Sequence, residues 1–286
     1  MTDASRSRSA PTNLESLNKR IRNEAGVSQR TEQRLRVAIA NTVIGQMLPP
    51  GVVKGGASLT IRMGEAGSRF SSDLDASRTR DHSIDGYIAA LEQKLRSGWA
   101  GFSGRVAHGK AATPLGVPPE YVMSPFSLKL DYRGSSWLTM TFELGHDEVG
   151  STDTQTLRIA PGIVGLFDRI GLPEPQAIPV LVVEHQMVQK LHACTTTDRN
   201  GSNDRAHDLV DLQLLFRDDP PDLTRLNNIG KRLFAARRRH AWPPQVQVWP
   251  NWPELYRDDA EDLPVLGTVE EAVVWTNDLI DRTTQT

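Results

Sequence analysis

Two short runs in this 286-residue chain set usable chemistry at usable spacing: Lys54-Gly55-Gly56-Ala57-Ser58-Leu59, and then Arg69-Phe70-Ser71-Ser72-Asp73-Leu74-Asp75. A Gly-Gly pair after a short apolar strand, before a helix, lets backbone amides turn toward an anion and lets the chain approach it closely. Ser58 adds a hydroxyl near that turn. In an extended strand, side chains two apart share a face, so Asp73 and Asp75 point one way and Leu74 points into the core. Two carboxylates at that separation suit a hard cation such as Mg2+, which takes oxygen ligands. A third acid, Glu143, stands between Phe142 and Leu144 on another alternating segment, sharing its face with Thr139 and Thr141. Each feature alone has a plainer reading, a strand-to-helix turn for the glycines and a solvated strand face for the acids. Their succession along one chain favours a site that handles phosphate and a cation.

Other runs carry less. Residues 104–111 read GRVAHGKA, close to a phosphate loop. That loop needs a hydroxyl after its lysine and a helix behind it. Ala111 has no hydroxyl, and Pro114, Pro118 and Pro119 oppose a helix, so this reads as a loop between strands. His185 and His192 are seven apart on a helical stretch, with no second ligand pattern, and read as surface histidines. The single cysteine, Cys194, excludes an intramolecular disulfide framework and a cysteine-rich zinc site.

The elements that must position these residues follow from periodicity. Residues 13–48 are helical, with Leu35, Ala38, Ile39, Val43 and Met47 at three- and four-residue spacing until Pro49 and Pro50 stop the run. Val52-Val53 is a very short strand, residues 58–63 open a helix, 68–75 end in an alternating strand, and 84–95 form an amphipathic helix. Residues 126–132 and 137–144 alternate with period two on either side of Arg133-Gly134-Ser135, which suits a hairpin. Residues 153–171 carry no decisive period, and Pro173, Pro175 and Pro179 mark a boundary. Beyond Val183 the pattern is helical, interrupted by a Pro/Trp-rich stretch at 241–253. The expectation is an α+β amino-terminal half and a helical carboxy-terminal half, with residues 1–12 a flexible tail, 13–180 one domain and 181–286 another.

Composition bounds the function. Hydrophobic residues are 38%, and 22 glycines raise the total toward that of globular chains. The balance of 33 basic and 35 acidic residues, a net charge of −2, excludes a uniformly basic nucleic-acid coat but leaves room for a local patch. The apolar run at 178–183 is far shorter than the ~20 residues of a membrane span, and no apolar leader opens the sequence. A cytoplasmic protein is expected.

The two opening runs closely resemble nucleotidyltransferase toxins of the AbiEii type, whose signature is approximately KGGTAL followed by RFSxDLD. Gln189-Lys190-Leu191, with Arg205-Ala206-His207-Asp208-Leu209-Val210-Asp211-Leu212 after it, is similar to a second family block, EKL…R(K/R)DLYDL. Order and spacing agree from Val52 to Phe216. This chain departs from the pattern at Ala57 for Thr, Val210 for Tyr and His207 for a basic residue; the first leaves Ser58 as the nearby hydroxyl.

The resemblance implies a polymerase-β-like nucleotidyltransferase core, a mixed sheet, with a helical carboxy-terminal domain. It implies transfer of NMP from an NTP, pyrimidine nucleotides among the donors, to an acceptor that for several relatives is the 3′ end of tRNA. Blocked translation, phage defence or growth control, and a cognate antitoxin follow from the same source. In that scheme Lys54, Gly55, Gly56, Ser58 and Arg69 bind the nucleotide, and Asp73, Asp75 and Glu143 hold Mg2+. Lys190 grips a β- or γ-phosphate, and Asp208 and Asp211 join Asp73, Asp75 and Lys190 as catalytic residues. Asp208 and Asp211 are also neighbours early in a helix, where acids simply favour the macrodipole.

A tRNA acceptor stem needs a basic surface. Lys231, Arg232, Arg237, Arg238, Arg239 and His240 make one cluster, in which Arg232, Arg237, Arg238 and Arg239 are the candidate RNA contacts on a helical ridge. Trp242, Trp249 and Trp252 follow and either stack on unpaired bases or plug the core. Two alternatives stay open: an acceptor that is a small-molecule or protein hydroxyl, and a catalytically silent RNA- or protein-binding module of the same fold.

Overall fold

The computed structural model describes residues 9–109, 123–197 and 201–286. The stretch 13–48 forms two helices rather than one. Asn13 caps α1 (Leu14–Ala25) by accepting from the Ser16 amide, Gly26 at φ 65° ends it, and Ser28 caps α2 (Gln29–Gly45). Of the expected tail, residues 1–8 lie outside the described residues. Residues 9–12 are tied down, since Arg20 donates to the Ser9 carbonyl and both Tyr132 Oη and Arg133 Nε donate to that of Pro11.

There follow β1 (Gly51–Lys54), α3 (Gly55–Met63), β2 (Leu74–Arg78), α4 (Ile84–Ser97), β3 (Phe102–His108), β4 (Ser124–Tyr132) and β5 (Ser135–Gly145). Then come β6 (Gln155–Arg158), α5 (Ile163–Ile170) and β7 (Ile178–Leu181), and the helices α6 (Val183–Thr195), α7 (His207–Asp218), α8 (Leu223–Arg237), α9 (Trp252–Ala260) and α10 (Val269–Thr284). The expected hairpin is present, turning at Arg133-Gly134 with both residues at positive φ. Of residues 104–111, expected to be a loop, 104–108 belong to β3 and pair with β4 as a strand; Lys110 and Ala111 lie outside the described residues.

Among the described residues, seven strands form one mixed sheet in the order β3-β4-β5-β2-β1-β7-β6. β1 runs antiparallel to β2 and parallel to β7, while β2 runs parallel to β5. Alternation sorts the central strands. Val53, Leu74, Ala76, Phe142 and Leu144 join a core with Ile39 and Val43 of α2, Leu91 of α4 and Phe167 of α5. Lys54, Asp75, Ser77 and Glu143 therefore belong to the other face. Phe142 is fully buried in that core, and its truncation to alanine would cost about 3–5 kcal/mol.

The chain divides into two compact units. One takes in the residues up to Glu65 together with Phe70–His146 and Gln155–Val180; the other takes in Ala66–Arg69, Asp147–Thr154 and Leu181–Thr286. The second is the helical one. Its interior is filled by Leu191, Leu209, Leu212, Leu233, Trp252 and Leu279, all completely buried. Among the described residues, no helix is long and apolar enough to cross a membrane.

Candidate active site

In the first unit, Asp75 is the centre of a row. Register pairs it with Lys54 on β1 and with Glu143 on β5, so three ionisable side chains stand side by side across adjacent strands, on the face away from the core. The turn from β1 into α3 explains the glycine beside them. Gly55 opens the helix at φ 62°, and a methyl group on its α-carbon would meet Asp75 Oδ2 at 2.0 Å. Only glycine tolerates both the left-handed backbone and that close approach. The Asp75 carboxylate thus lies against the amino-terminal end of α3, where the helix dipole favours negative charge. Gly56 and Ser58 are buried within the same helix.

Asp73 is placed differently from the expectation. The strand begins at Leu74 and runs on to Arg78, so Asp73 precedes it as an exposed residue, 3.4 Å from the Ser72 hydroxyl. Leu74 points into the core as expected. Among the described residues, no group of three or more His, Cys, Asp or Glu side chains is arranged to hold a metal ion. The donor set nevertheless fits Mg2+, which is commonly bound through one or two carboxylates together with waters and substrate phosphates. Asp75 and Glu143 are such a pair.

The second unit gathers the later block around Lys190. Its Nζ donates to Asp208 Oδ1 at 3.0 Å and to Asp211 Oδ2 at 2.5 Å. Arg69 forks onto Asp211 through Nε and Nη2, both at 2.9 Å, and Arg205 Nε donates to Asp208 Oδ2 at 2.8 Å. Both carboxylates are fully buried, and Lys190 is 6% exposed. Burial alone would push these carboxyls up. The Lys190 charge, joined by Arg205 at Asp208 and by Arg69 at Asp211, outweighs it and holds both below the usual carboxylate range. The same attraction from Asp211 overcomes the burial of Arg69 and keeps its guanidinium charged. Three cations are thus held by two carboxylates. Lys190 is a buried member of this network, and Asp208 and Asp211 fix its place. Asp259, which its sequence context gave no reason to single out, feels the network from α9: its carboxyl is pushed up by burial and by Asp211 and Asp208, against the pull of Arg69.

The basic cluster does not form the expected ridge. α8 ends at Arg237, and Arg238 takes a left-handed conformation at φ 53°, leaving Arg238 and Arg239 exposed beyond the helix. Arg237 is clamped by buried Glu148, Nε to Oε1 at 2.5 Å and Nη2 to Oε2 at 2.7 Å. Exposed Arg232 donates to the Val149 carbonyl and Arg239 to that of Thr197. The tryptophans are buried or half-buried rather than standing out toward bases. Trp252 is completely buried with Nε1 on the Asn203 carbonyl, and Trp242 packs over Gly230 and against Phe234 with Nε1 on Asn227. His185 and His192 are buried, not surface residues, each with one ring nitrogen that has no hydrogen-bond partner among the described residues.

Known proteins share sequence pattern and fold with this chain. The family model "Nucleotidyl transferase AbiEii toxin, Type IV TA system" matches residues 45–275. Among solved structures, MenT4, a nucleotidyltransferase toxin from Mycobacterium tuberculosis H37Rv, shares the fold at 14% identity and a TM-score of 0.52, covering 93% of this chain and 98% of its own. JHP933 from Helicobacter pylori is similar at 14% identity and a TM-score of 0.42, over 91% and 94% of the two chains. The Megavirus polyadenylate synthase is similar at 12% identity and 0.33, over 73% and 35%. No curated protein matches in sequence. Since the family model takes in the glycine turn, the Asp75 strand and the Lys190 network together, this chain belongs to the AbiEii family of nucleotidyltransferases, the toxins of type IV toxin–antitoxin systems.

Proposed function

We propose that the protein transfers NMP from an NTP to the 3′ end of tRNA, with Mg2+, in the cytoplasm, and thereby stops translation until its antitoxin neutralises it. The single observation that carries the transfer reading is the row Lys54–Asp75–Glu143, set against the glycine turn at Gly55. Asp75 and Glu143, with Asp73 just ahead of the strand, would hold the cation. When bound, it neutralises charge on the phosphates. The amides around Gly55 and Gly56 orient the triphosphate at the start of α3. Within the second unit, Asp208 and Asp211 act as positioning residues that keep the cations of Lys190 and Arg69 in place; the resemblance gives those cations a part in nucleotide binding. In the transfer, the acceptor oxygen bonds to the α-phosphorus, the bridge to the β-phosphate breaks and pyrophosphate leaves. Asp73 is exposed and available for the hydroxyl proton.

Exposed Arg232, Arg238 and Arg239 support an RNA acceptor. The clamp on Arg237 and the burial of Trp252 favour a second reading, transfer to a small-molecule or protein hydroxyl. Expression with sequencing of tRNA 3′ ends separates them. The wild type should arrest growth and leave extra nucleotides on tRNA, while Asp73→Ala and Asp75→Ala should do neither. Arrest without altered tRNA ends would redirect the proposal to the second acceptor class. Arrest by both aspartate variants would remove transfer as its cause and leave a silent binding module.

A further inference from the structure

On the face that carries Asp75, β2 places a second polar side chain two residues on. Ser77 is 1% exposed, lies opposite Val52 on β1 and Gly145 on β5, and its hydroxyl has no hydrogen-bond partner among the described residues. Gly145 follows Glu143 by two on β5, so it too lies in this face. A methyl group on the Gly145 α-carbon would lie 2.9 Å from Lys54 Nζ, 2.9 Å from Met123 Sδ and 3.4 Å from Ser77 Oγ. The Lys54 side chain therefore runs diagonally from β1 over β2 toward the end of β5, into a space that exists because residue 145 has no side chain.

We infer that Gly145 and Ser77 are positioning residues that together form the seat of the Lys54 ammonium, the glycine by leaving room for it and the hydroxyl by offering it an acceptor. An ammonium has three N–H donors and needs acceptors when it leaves water, while a buried hydroxyl without a partner keeps the full cost of its lost hydration. Rotation about the last bonds of Lys54 brings an N–H to Ser77 Oγ, gives that hydroxyl its partner and leaves two N–H donors for other acceptors. The seat fixes Lys54 in the row with Asp75 and Glu143. Its use in nucleotide binding rests on the transferase reading above; the seat itself does not.

Gly145→Ala is the informative variant, because the added methyl crowds the flexible ends of Lys54 and Met123, with Ser77 Oγ at ordinary contact distance, and the fold can absorb it. Ser77→Ala is the partner variant, and Ser77→Thr restores the hydroxyl. The seat is read directly by trace acetylation of lysines over a pH series, with Lys54 compared with Lys129 in the same sample by peptide mass spectrometry. Gly145→Ala and Ser77→Ala should change the relative Lys54 labelling by roughly threefold or more, and Ser77→Thr should return it toward wild type. NTP affinity should show coupling of similar size between Gly145→Ala and Lys54→Met, so that the double variant binds no more weakly than Lys54→Met alone. Unchanged Lys54 labelling in both alanine variants, with thermal midpoints confirming folded protein, would overturn the seat. A wild type that binds no NTP while its Lys54 labelling responds as described would instead retain the seat and remove the transferase reading.

Discussion

Lys190 Nζ lies 2.5 Å from Asp211 Oδ2, and neither group reaches solvent to any useful extent. A buried pair of this kind is weak evidence for stability, since desolvation can cancel the attraction, but removing one partner strands the other. The neighbours decide which removal is worse. Asp211 also holds Arg69, whereas both aspartates keep an arginine if Lys190 is lost.

Asp211→Ala should therefore destabilise the protein by about 3–5 kcal/mol, because it leaves Lys190 and Arg69 short of a counter-charge. Lys190→Met should cost clearly less, since Asp211 retains Arg69 and Asp208 retains Arg205. Urea unfolding of both variants checks the order. A Lys190→Met protein less stable than Asp211→Ala would show that the lysine, not the aspartate, is the keystone of the network.

Acid should unfold this protein in two stages. Burial, with Arg225 beside His185 and Arg237 beside His192, pushes those histidines down to about 4 and about 3; burial also pushes His207 down to about 4. An unfolded histidine titrates near about 6.5. The unfolded chain therefore takes up these protons first, and the stability they confer is complete above pH ~6.5 and lost as pH falls toward the folded values. Asp208 and Asp211, held below their unfolded value of about 3.9, add a second loss below that pH. Unfolding free energy measured from pH 8 to 3 should fall from about pH 6.5 downward and keep falling below about pH 4, where the folded histidines at last take up their protons and the two aspartates carry the loss on; a flat profile between pH 7 and 5 would contradict the buried histidines.

Local pattern made much of the first unit legible, and long-range pairing explains most of what it missed. The turn at Gly55, the Leu74 core position and the β4–β5 hairpin all rest on chemistry within a few residues. The strand β7 was hidden because Ile178–Leu181 is four residues in a proline-flanked run and gains its identity only by pairing with β1. Asp73 and Asp75 suggested a strand containing both; where it begins is set by the pairing of Leu74 with Phe142. In the second unit, no spacing rule links Arg69 to Asp211 or Glu148 to Arg237, partners 142 and 89 residues apart. A tryptophan that plugs a core and one that stacks on a base look alike in sequence; only the burial of Trp252 and the packing of Trp242 distinguish them.

Gly55→Ala should abolish nucleotide use with only a modest loss of stability. The left-handed backbone at φ 62° costs a non-glycine residue about 1–2 kcal/mol, and the new methyl displaces the Asp75 carboxylate it would meet. Nucleotide binding and thermal unfolding of the same sample separate the two effects. Undiminished binding would mean that Asp75 does not need its place against α3.

The arginines beyond α8 should divide by their partners. If RNA is the acceptor, Arg238→Ala with Arg239→Ala should flatten the salt dependence of tRNA binding, by roughly one unit of slope per lost phosphate contact, without lowering stability. Arg237→Ala should instead destabilise the fold, because the buried Glu148 carboxylate loses the guanidinium charge that faces it, which the neutral Gln189 donor does not replace. An unchanged salt slope in the double variant would leave the exposed arginines as ordinary solvated charges.

If nucleotidyl transfer takes place at the row of Lys54, Asp75 and Glu143, removing the Asp75 charge must stop it. The most direct test is incubation of purified protein with total tRNA, Mg2+ and each α-labelled NTP in turn, with the label followed on a denaturing gel and Asp75→Asn run in parallel. At least one NTP should label RNA with the wild type, and Asp75→Asn, which keeps the side-chain shape but removes the charge, should label none. Equal labelling by Asp75→Asn, or no labelled RNA with any NTP, would contradict transfer to RNA at that row.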